Sequence, residues 1–243
     1  MEETESNSIG AWRDALVRCL GEAGCGRDSG CMGTLDLLAR AGLPVPEGMI
    51  LTRQAHEEFL RASRIRRDIL AAAQEAGDVR RRAAEVRVAY ASSPVEGELN
   101  RAICEALIGL GAKTVVVLSE DFEKGGLMSI PEVRDAVRDA WLSLHGLERL
   151  IEAVAHGESL PTWPVLIQRE LSPQYTGRST TAEDVPHETP TGKHSGDKTV
   201  ALYDVEPVGG EDPKLKSIAS FTLEAGAVLG EPVNIEWGLE GGR

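Results

Sequence analysis

Residues 35–60 read LDLLARAGLPVPEGMILTRQAHEEFL, and the order of signals in this stretch sets the frame for the rest of the chain. Leu35, Leu37, Leu38 and Ala41 have the spacing of a short helix, and Gly42 can supply the left-handed residue that closes it. Pro44 and Pro46 deny helix to residues 43–48 and hold them extended. Met49-Ile50-Leu51 then reads as a short buried strand. Thr52 can cap a following helix that carries Ala55, Phe59 and Leu60. A helix, an extended link, a strand and a second helix in so short a span predict a chain that mixes α and β elements.

Upstream, residues 9–22 place Trp12, Ala15, Leu16, Cys19 and Leu20 at helical spacing, which predicts an amphipathic helix. Gly24 to Gly33 is rich in Gly and small polar residues and reads as a loop. Downstream, Arg61 to Arg87 is helical and basic; a solvated helix face accounts for it, and a phosphate-facing patch is the other reading. Residues 96–110 form a further amphipathic helix stopped by Gly111, and the β-branched run from Thr114 to Leu118 predicts a buried strand. Ser129-Ile130-Pro131-Glu132 is a capping box, with Pro where its missing N–H does no harm. The helix it opens carries Val133, Ala136, Val137, Ala140, Trp141 and Leu144 on one stripe.

Pro164 to Leu171 reads as a strand, 172–197 as a mobile loop crowded with Ser, Thr, Pro, Gly and acidic residues, and Thr199 to Val205 as a strand. Leu215 to Leu229 is predicted helical and Val233 to Leu239 a final strand. In that strand Ile235, Trp237 and Leu239 alternate with Asn234, Glu236 and Glu240, giving one apolar and one polar face. The interleaving predicts an α/β (α+β) architecture, divided into an N-terminal part, 1–111, and a C-terminal part, 112–243.

Composition narrows the partners. At 42% hydrophobic and 27% charged residues the chain can build a core, and a net charge of −13 disfavours nucleic acid and anionic membranes. No apolar run is long enough to span a bilayer, and the acidic start, Met1-Glu2-Glu3-Thr4-Glu5, is unlike a secretory signal, so a cytoplasmic location is expected. Cys19, Cys25 and Cys31 recur every six residues without the paired spacing of a zinc site, and reduced thiols are expected. Thr191-Gly192-Lys193-His194 lacks the hydroxyl after Lys and the earlier Gly of a P-loop. Nucleophile-elbow, zincin and dinucleotide-binding motifs do not occur.

The Ala-Gly-Leu-Pro-Val-Pro-Glu-Gly run of 41–48 resembles the opening of the pyruvate phosphate dikinase, phosphoenolpyruvate synthase and rifampicin phosphotransferase families. Two later blocks agree in type and order. Val165 to Leu171 is similar to the family's adenine-side strand, and Ala225 to Trp237 is similar to its helix, turn and Asp-Ile-Glu-Trp strand. Trp141-Leu142-Ser143 fits a helix that carries Trp-x-Ser in the family.

The resemblance implies an ATP-grasp-like fold, with mixed sheets flanked by helices, and a kinase-type phosphoryl transfer from ATP with Mg2+. It implies that Gln168 lies near adenine, that Glu236 binds the metal with Asn234 beside it where Asp is usual, and that Lys124 is the remaining phosphate cation. No catalytic residue is assigned. Departures from the pattern predict a weakened site. The phosphate-binding lysine position aligns with Cys31, the strand that supplies arginine reads Val117-Leu118-Ser119, and only Lys124-Gly125-Gly126 remains of a Gly-rich covering loop. A non-catalytic interaction module is the alternative. A third reading is a fragment of a longer phosphotransferase, since the Leu-Gln-x-Arg-Pro strand does not occur before Arg243; another protein chain would then supply the missing domains.

Overall fold

The computed structural model describes residues 15–25, 30–74, 78–119, 122–143, 147–158, 162–172, 175–181, 200–201 and 213–239. It is a mixed α/β protein that divides into two compact units. The first comprises residues up to Asp36 and Pro46–Glu170; the second comprises Leu37–Val45 and the residues from Leu171 onward. The division expected at 111/112 falls inside the first unit, because strands from both sides of it share one sheet.

That sheet has five strands in the order β1-β2-β5-β3-β4: β1 (Val17–Cys19), β2 (Gly48–Leu51), β3 (Val115–Ser119), β4 (Phe122–Leu127) and β5 (Val165–Arg169). Every pairing in it is antiparallel. One face carries Leu51, Val115, Val117, Val165 and Ile167 into the main core. Helices α2 (Arg53–Ala62), α3 (Ile65–Gln74), α4 (Val79–Ser92), α5 (Gly97–Leu110), α6 (Ile130–Ser143) and α7 (Leu147–Ala155) contribute to the same core. The opposite face, with Ile50 and Leu166, packs against Met32 of helix α1 (Gly30–Arg40) and against Ala23.

The second unit holds a three-stranded sheet in the order β7-β6-β8, with β6 (Tyr175–Thr180), β7 (Val200–Ala201) and β8 (Asn234–Leu239). β6 runs parallel to β7 and antiparallel to β8. Helix α8 (Pro213–Leu229) supplies Ala225 and Leu229 to an apolar cluster with Leu38 and Val233.

Local chemistry explains the best-anticipated elements. Gly42, at φ +84, closes α1: its N–H bonds Ala39 O at 3.0 Å while Leu43 N–H bonds Leu38 O at 3.1 Å. This is a Schellman pair with its apolar contact, since Leu43 packs on the cluster containing Leu38. Thr52 caps α2 by accepting from Ala55 N, and Gly111, at φ 58, ends α5. The Ser129–Glu132 box forms in both directions: Ser129 N donates to Glu132 Oε2 at 2.9 Å and Glu132 N to Ser129 Oγ at 3.4 Å.

Several elements differ from expectation, among them the helical run expected for 61–87, which breaks at Ser63 and at Arg64, the latter with φ 64. Residues 17–19, expected within the helix 9–22, form β1, because Val17, Arg18 and Cys19 pair with Leu51, Ile50 and Met49; residues 9–14 lie outside the described residues. Helix α1 starts at Gly30, inside the loop expected for 24–33. β6 lies within the span expected as a mobile loop, and residues 182–197 lie outside the described residues. Its polar residues are held by pairing with β8 and by a 2.6 Å hydrogen bond between Ser179 Oγ and Thr222 Oγ1. β4 is an edge strand whose middle residues are exposed, so pairing to β3 and not burial defines it. Among the described residues no helix is long and apolar enough to cross a membrane.

Candidate functional site

In the first unit, the close approach of β2 to β5 organises the region. Gly48 lies opposite Gln168, and a Cβ on Gly48 would stand 3.0 Å from Leu166 Cδ1 and 3.2 Å from Ile167 O. Only glycine lets the strands meet there without displacement. Gln168 is buried, and its Nε2 donates to Pro46 O at 2.9 Å. A side-chain amide of β5 thus fixes the end of the Pro-rich link, and Arg169 N–H adds a bond to Glu47 O at 2.8 Å.

The chain around residues 20–25 is tied down by a residue that sequence reasoning missed. Asp36, fully buried in α1, accepts from Gly21 N at 2.7 Å, Ala23 N at 3.2 Å and Cys25 N at 3.0 Å. Three backbone donors on one carboxylate satisfy a charge that would otherwise be costly to bury. The available signal was an acidic residue within the apolar run Leu35-Asp36-Leu37-Leu38, which a helix buried on that side tolerates only with partners. Cys31, where the resemblance implies a lysine, is exposed on α1.

Lys124 lies in β4 opposite Val117, so Lys124-Gly125-Gly126 belongs to a paired strand and not to a covering loop. Its Nζ stands 3.9 Å from Asp139 Oδ2, both side chains about half exposed. Glu170 accepts from Gly126 N at 2.9 Å, which anchors this strand to the end of β5. Since Val117 points into the main core and Gln168 pairs with Gly48 and Val116, Lys124 and Gln168 occupy opposite faces of the sheet. Leu118, where the resemblance implies an arginine, packs with Ile50 and Leu166 on the same face as Gln168. That face is therefore apolar where the resemblance implies a cation.

In the second unit, Asn234 and Glu236 are exposed at alternate positions of β8, with Ile235 and Trp237 partly buried between and after them. Their Cα partners on β6 are Thr180 and Arg178. Asn234 and Glu236 place one amide and one carboxylate on the same strand face, a set with a single charged ligand for Mg2+. Among the described residues no group of three or more His, Cys, Asp or Glu side chains could hold a metal ion. The structure thus brings Asn234 and Glu236 together in this unit, while Gln168 and Lys124 lie in the other.

A cavity of about 290 Å³ is lined by Val17, Arg18, Cys19, Glu22, Met49 and residues of α5. It includes none of the residues that the resemblance assigns. The chain matches no protein-family model and no curated protein.

Proposed function

We propose that this chain is an ATP-grasp-type nucleotide-binding domain related to the pyruvate phosphate dikinase and phosphoenolpyruvate synthase families, with a weakened phosphate site. One observation carries the reading: the three separately recognised blocks each meet in packed structure. Within the first unit the Pro-rich link joins the adenine-side strand through Pro46 and Gln168. Within the second unit Leu43 and Val45 pack on Ala225, Leu229 and Val233 of the third block. Segments that lie far apart in sequence and share one resemblance are in contact, which a chance likeness would not require.

In this reading Gln168 borders the adenine, and Glu236 with Asn234 holds Mg2+ for kinase-type phosphoryl transfer. Mg2+ would supply charge neutralisation at the phosphates. Loss of two cations, at Cys31 and Leu118, weakens triphosphate binding by several kcal/mol at roughly 1.5–3 kcal/mol per charge-assisted bond. Lys124 contributes little, since it is turned to Asp139 on the other sheet face.

A second reading, a non-catalytic interaction module, is favoured by Leu118 filling the cation position with an apolar side chain. Calorimetric titration of the chain with ATP, with and without Mg2+, beside a Glu236→Ala variant separates the two. Magnesium-dependent binding that the variant loses supports the nucleotide domain. No heat up to millimolar ATP from a folded chain leaves the interaction module.

A further inference from the structure

Helix α4 is apolar on two sides. One side turns Ala83, Val86 and Tyr90 into the core. On the other, Ala84, Val88 and Ala91 follow one another at i, i+4 and i+7, all exposed, with Val88 68% exposed. Helical geometry places Arg80 and Arg87 along one flank of this seam and Arg81 along the other. All three are exposed. Of the basic residues in the helices before it, Arg61 pairs with Glu58 and Arg67 with Asp68. Among the described residues no carboxylate forms an ion pair with Arg80, Arg81 or Arg87; Glu85, four residues on from Arg81, lies on the Arg81 flank, so the Arg80–Arg87 flank carries no acidic residue of this helix. Residues 61–87 hold eight arginines against four acidic residues, a window of +4 in a chain of −13.

We propose that this face of α4 is a docking surface for an acidic amphipathic helix of a partner protein. An apolar seam at i, i+4 and i+7 matches the ridge of a helix, and two alanines allow it to approach closely. Arginines on both flanks select carboxylates on both sides of the partner's apolar stripe, and cationic flanks around an apolar centre set orientation as well as affinity. Nucleic acid is disfavoured because an apolar centre offers nothing to a phosphate backbone and the chain as a whole repels it. A membrane surface is disfavoured because the seam lacks large apolar side chains. A second copy is disfavoured by the mutual repulsion of two chains of −13. This surface is independent of the nucleotide reading.

The test uses the full chain and a fluorescent synthetic peptide, helical, with Leu at i, i+4 and i+7 and Glu elsewhere. Anisotropy should report saturable binding that weakens with added salt. The dissociation constant should rise at least about tenfold in Val88→Glu and in Arg80→Glu/Arg87→Glu, with unfolding midpoints unchanged because these positions are exposed. Equal binding of a peptide of the same composition with scattered Leu overturns the proposal. So does binding unchanged by the variants, no binding at all, or tighter binding to anionic vesicles or duplex RNA. Sedimentation of the chain alone provides the last arm: a dimer broken by Val88→Glu would mean that the face serves a second copy.

Discussion

His56 Nε2 lies 2.8 Å from the Tyr90 hydroxyl in the interior of the first unit, and the opposite ring nitrogen fixes what that contact is. His56 Nδ1 accepts from Trp163 N at 3.2 Å, so the proton resides on Nε2 and is donated to Tyr90. The imidazole stacks parallel to Trp141, with centroids 4.8 Å apart, and Trp141 Nε1 bonds Trp163 O at 3.0 Å. Helices α2, α4 and α6 and the link before β5 are thereby joined through one buried polar pair surrounded by aromatic rings.

Burial lowers the His56 pKa from 6.5 to about 3. Below pH 6.5 the unfolded chain takes up a proton that the folded chain refuses until about pH 3. Stability contributed at neutral pH is therefore lost as pH falls through this window, by up to about 1.4 kcal/mol per pH unit from this group. Urea unfolding between pH 7 and pH 4 should show a steeper decline for the natural chain than for His56→Phe. Equal slopes would mean that His56 is not the buried neutral base.

Tyr90→Phe leaves the His56 N–H without its acceptor in a dry interior. The cost should be about 1–3 kcal/mol, larger than the loss of an exposed hydrogen bond. Denaturant midpoints compare it with Ser92→Ala, an exposed hydroxyl bonded to Val88 O at 2.8 Å, which should be nearly silent.

Asp36→Asn places an amide where three backbone donors converge, and an amide has a single acceptor oxygen. At least one of Gly21, Ala23 and Cys25 then loses its partner, at a cost of about 1–3 kcal/mol. Hydrogen exchange at these three amides should accelerate, and alkylation of Cys25, which is partly buried, should speed up relative to the exposed Cys19. Unchanged exchange in the variant would show that the segment holds itself without Asp36.

The residues that were legible in the sequence are those whose local chemistry has one structural outcome. Gly42, Thr52, Gly111 and the Ser129–Glu132 box end or begin helices by satisfying backbone groups within a few residues, and each does so. What escaped depends on partners far along the chain. Val17 to Cys19 has helical periodicity with the residues before it, yet β2 offers it a strand partner. β6 looks like a loop because its sequence is polar, and the hydroxyl of its Ser179 is satisfied by Thr222, far ahead in the chain. The candidate site divides in the same way: the alternation of Asn234 and Glu236 is a period-two property of one strand. That Lys124 and Gln168 face opposite ways follows from strand order and a register irregularity between Val115 and Val117, which spacing along the chain does not encode.

Lys124→Ala tests the cation reading without disturbing the fold. A half-exposed pair at 3.9 Å is worth less than about 1 kcal/mol, so the unfolding midpoint should barely move. If ATP binds on the face that carries Gln168, its affinity should also be unchanged in this variant. A large loss of ATP binding would place the phosphates on the helix-covered face and reverse the assignment of faces.

Gly48→Ala and Gly42→Ala should differ in kind. At Gly42 a Cβ meets nothing within 4 Å, and the cost is the left-handed backbone alone, at φ +84, about 1–2 kcal/mol. At Gly48 the added methyl meets Leu166 Cδ1 at 3.0 Å and the Ile167 carbonyl at 3.2 Å. A side chain can turn aside, but a carbonyl within a paired strand moves only with its neighbours, so β2 must shift from β5. Overpacking of this type costs about 1–3 kcal/mol, and the shift falls on the strand that carries Gln168. Amide exchange at Arg169, whose N–H bonds Glu47 O, should therefore rise in Gly48→Ala and stay at its natural rate in Gly42→Ala. Equal exchange in both variants would mean that β2 and β5 have slack, and that the glycine at 48 is not what lets the Pro-rich link close on β5.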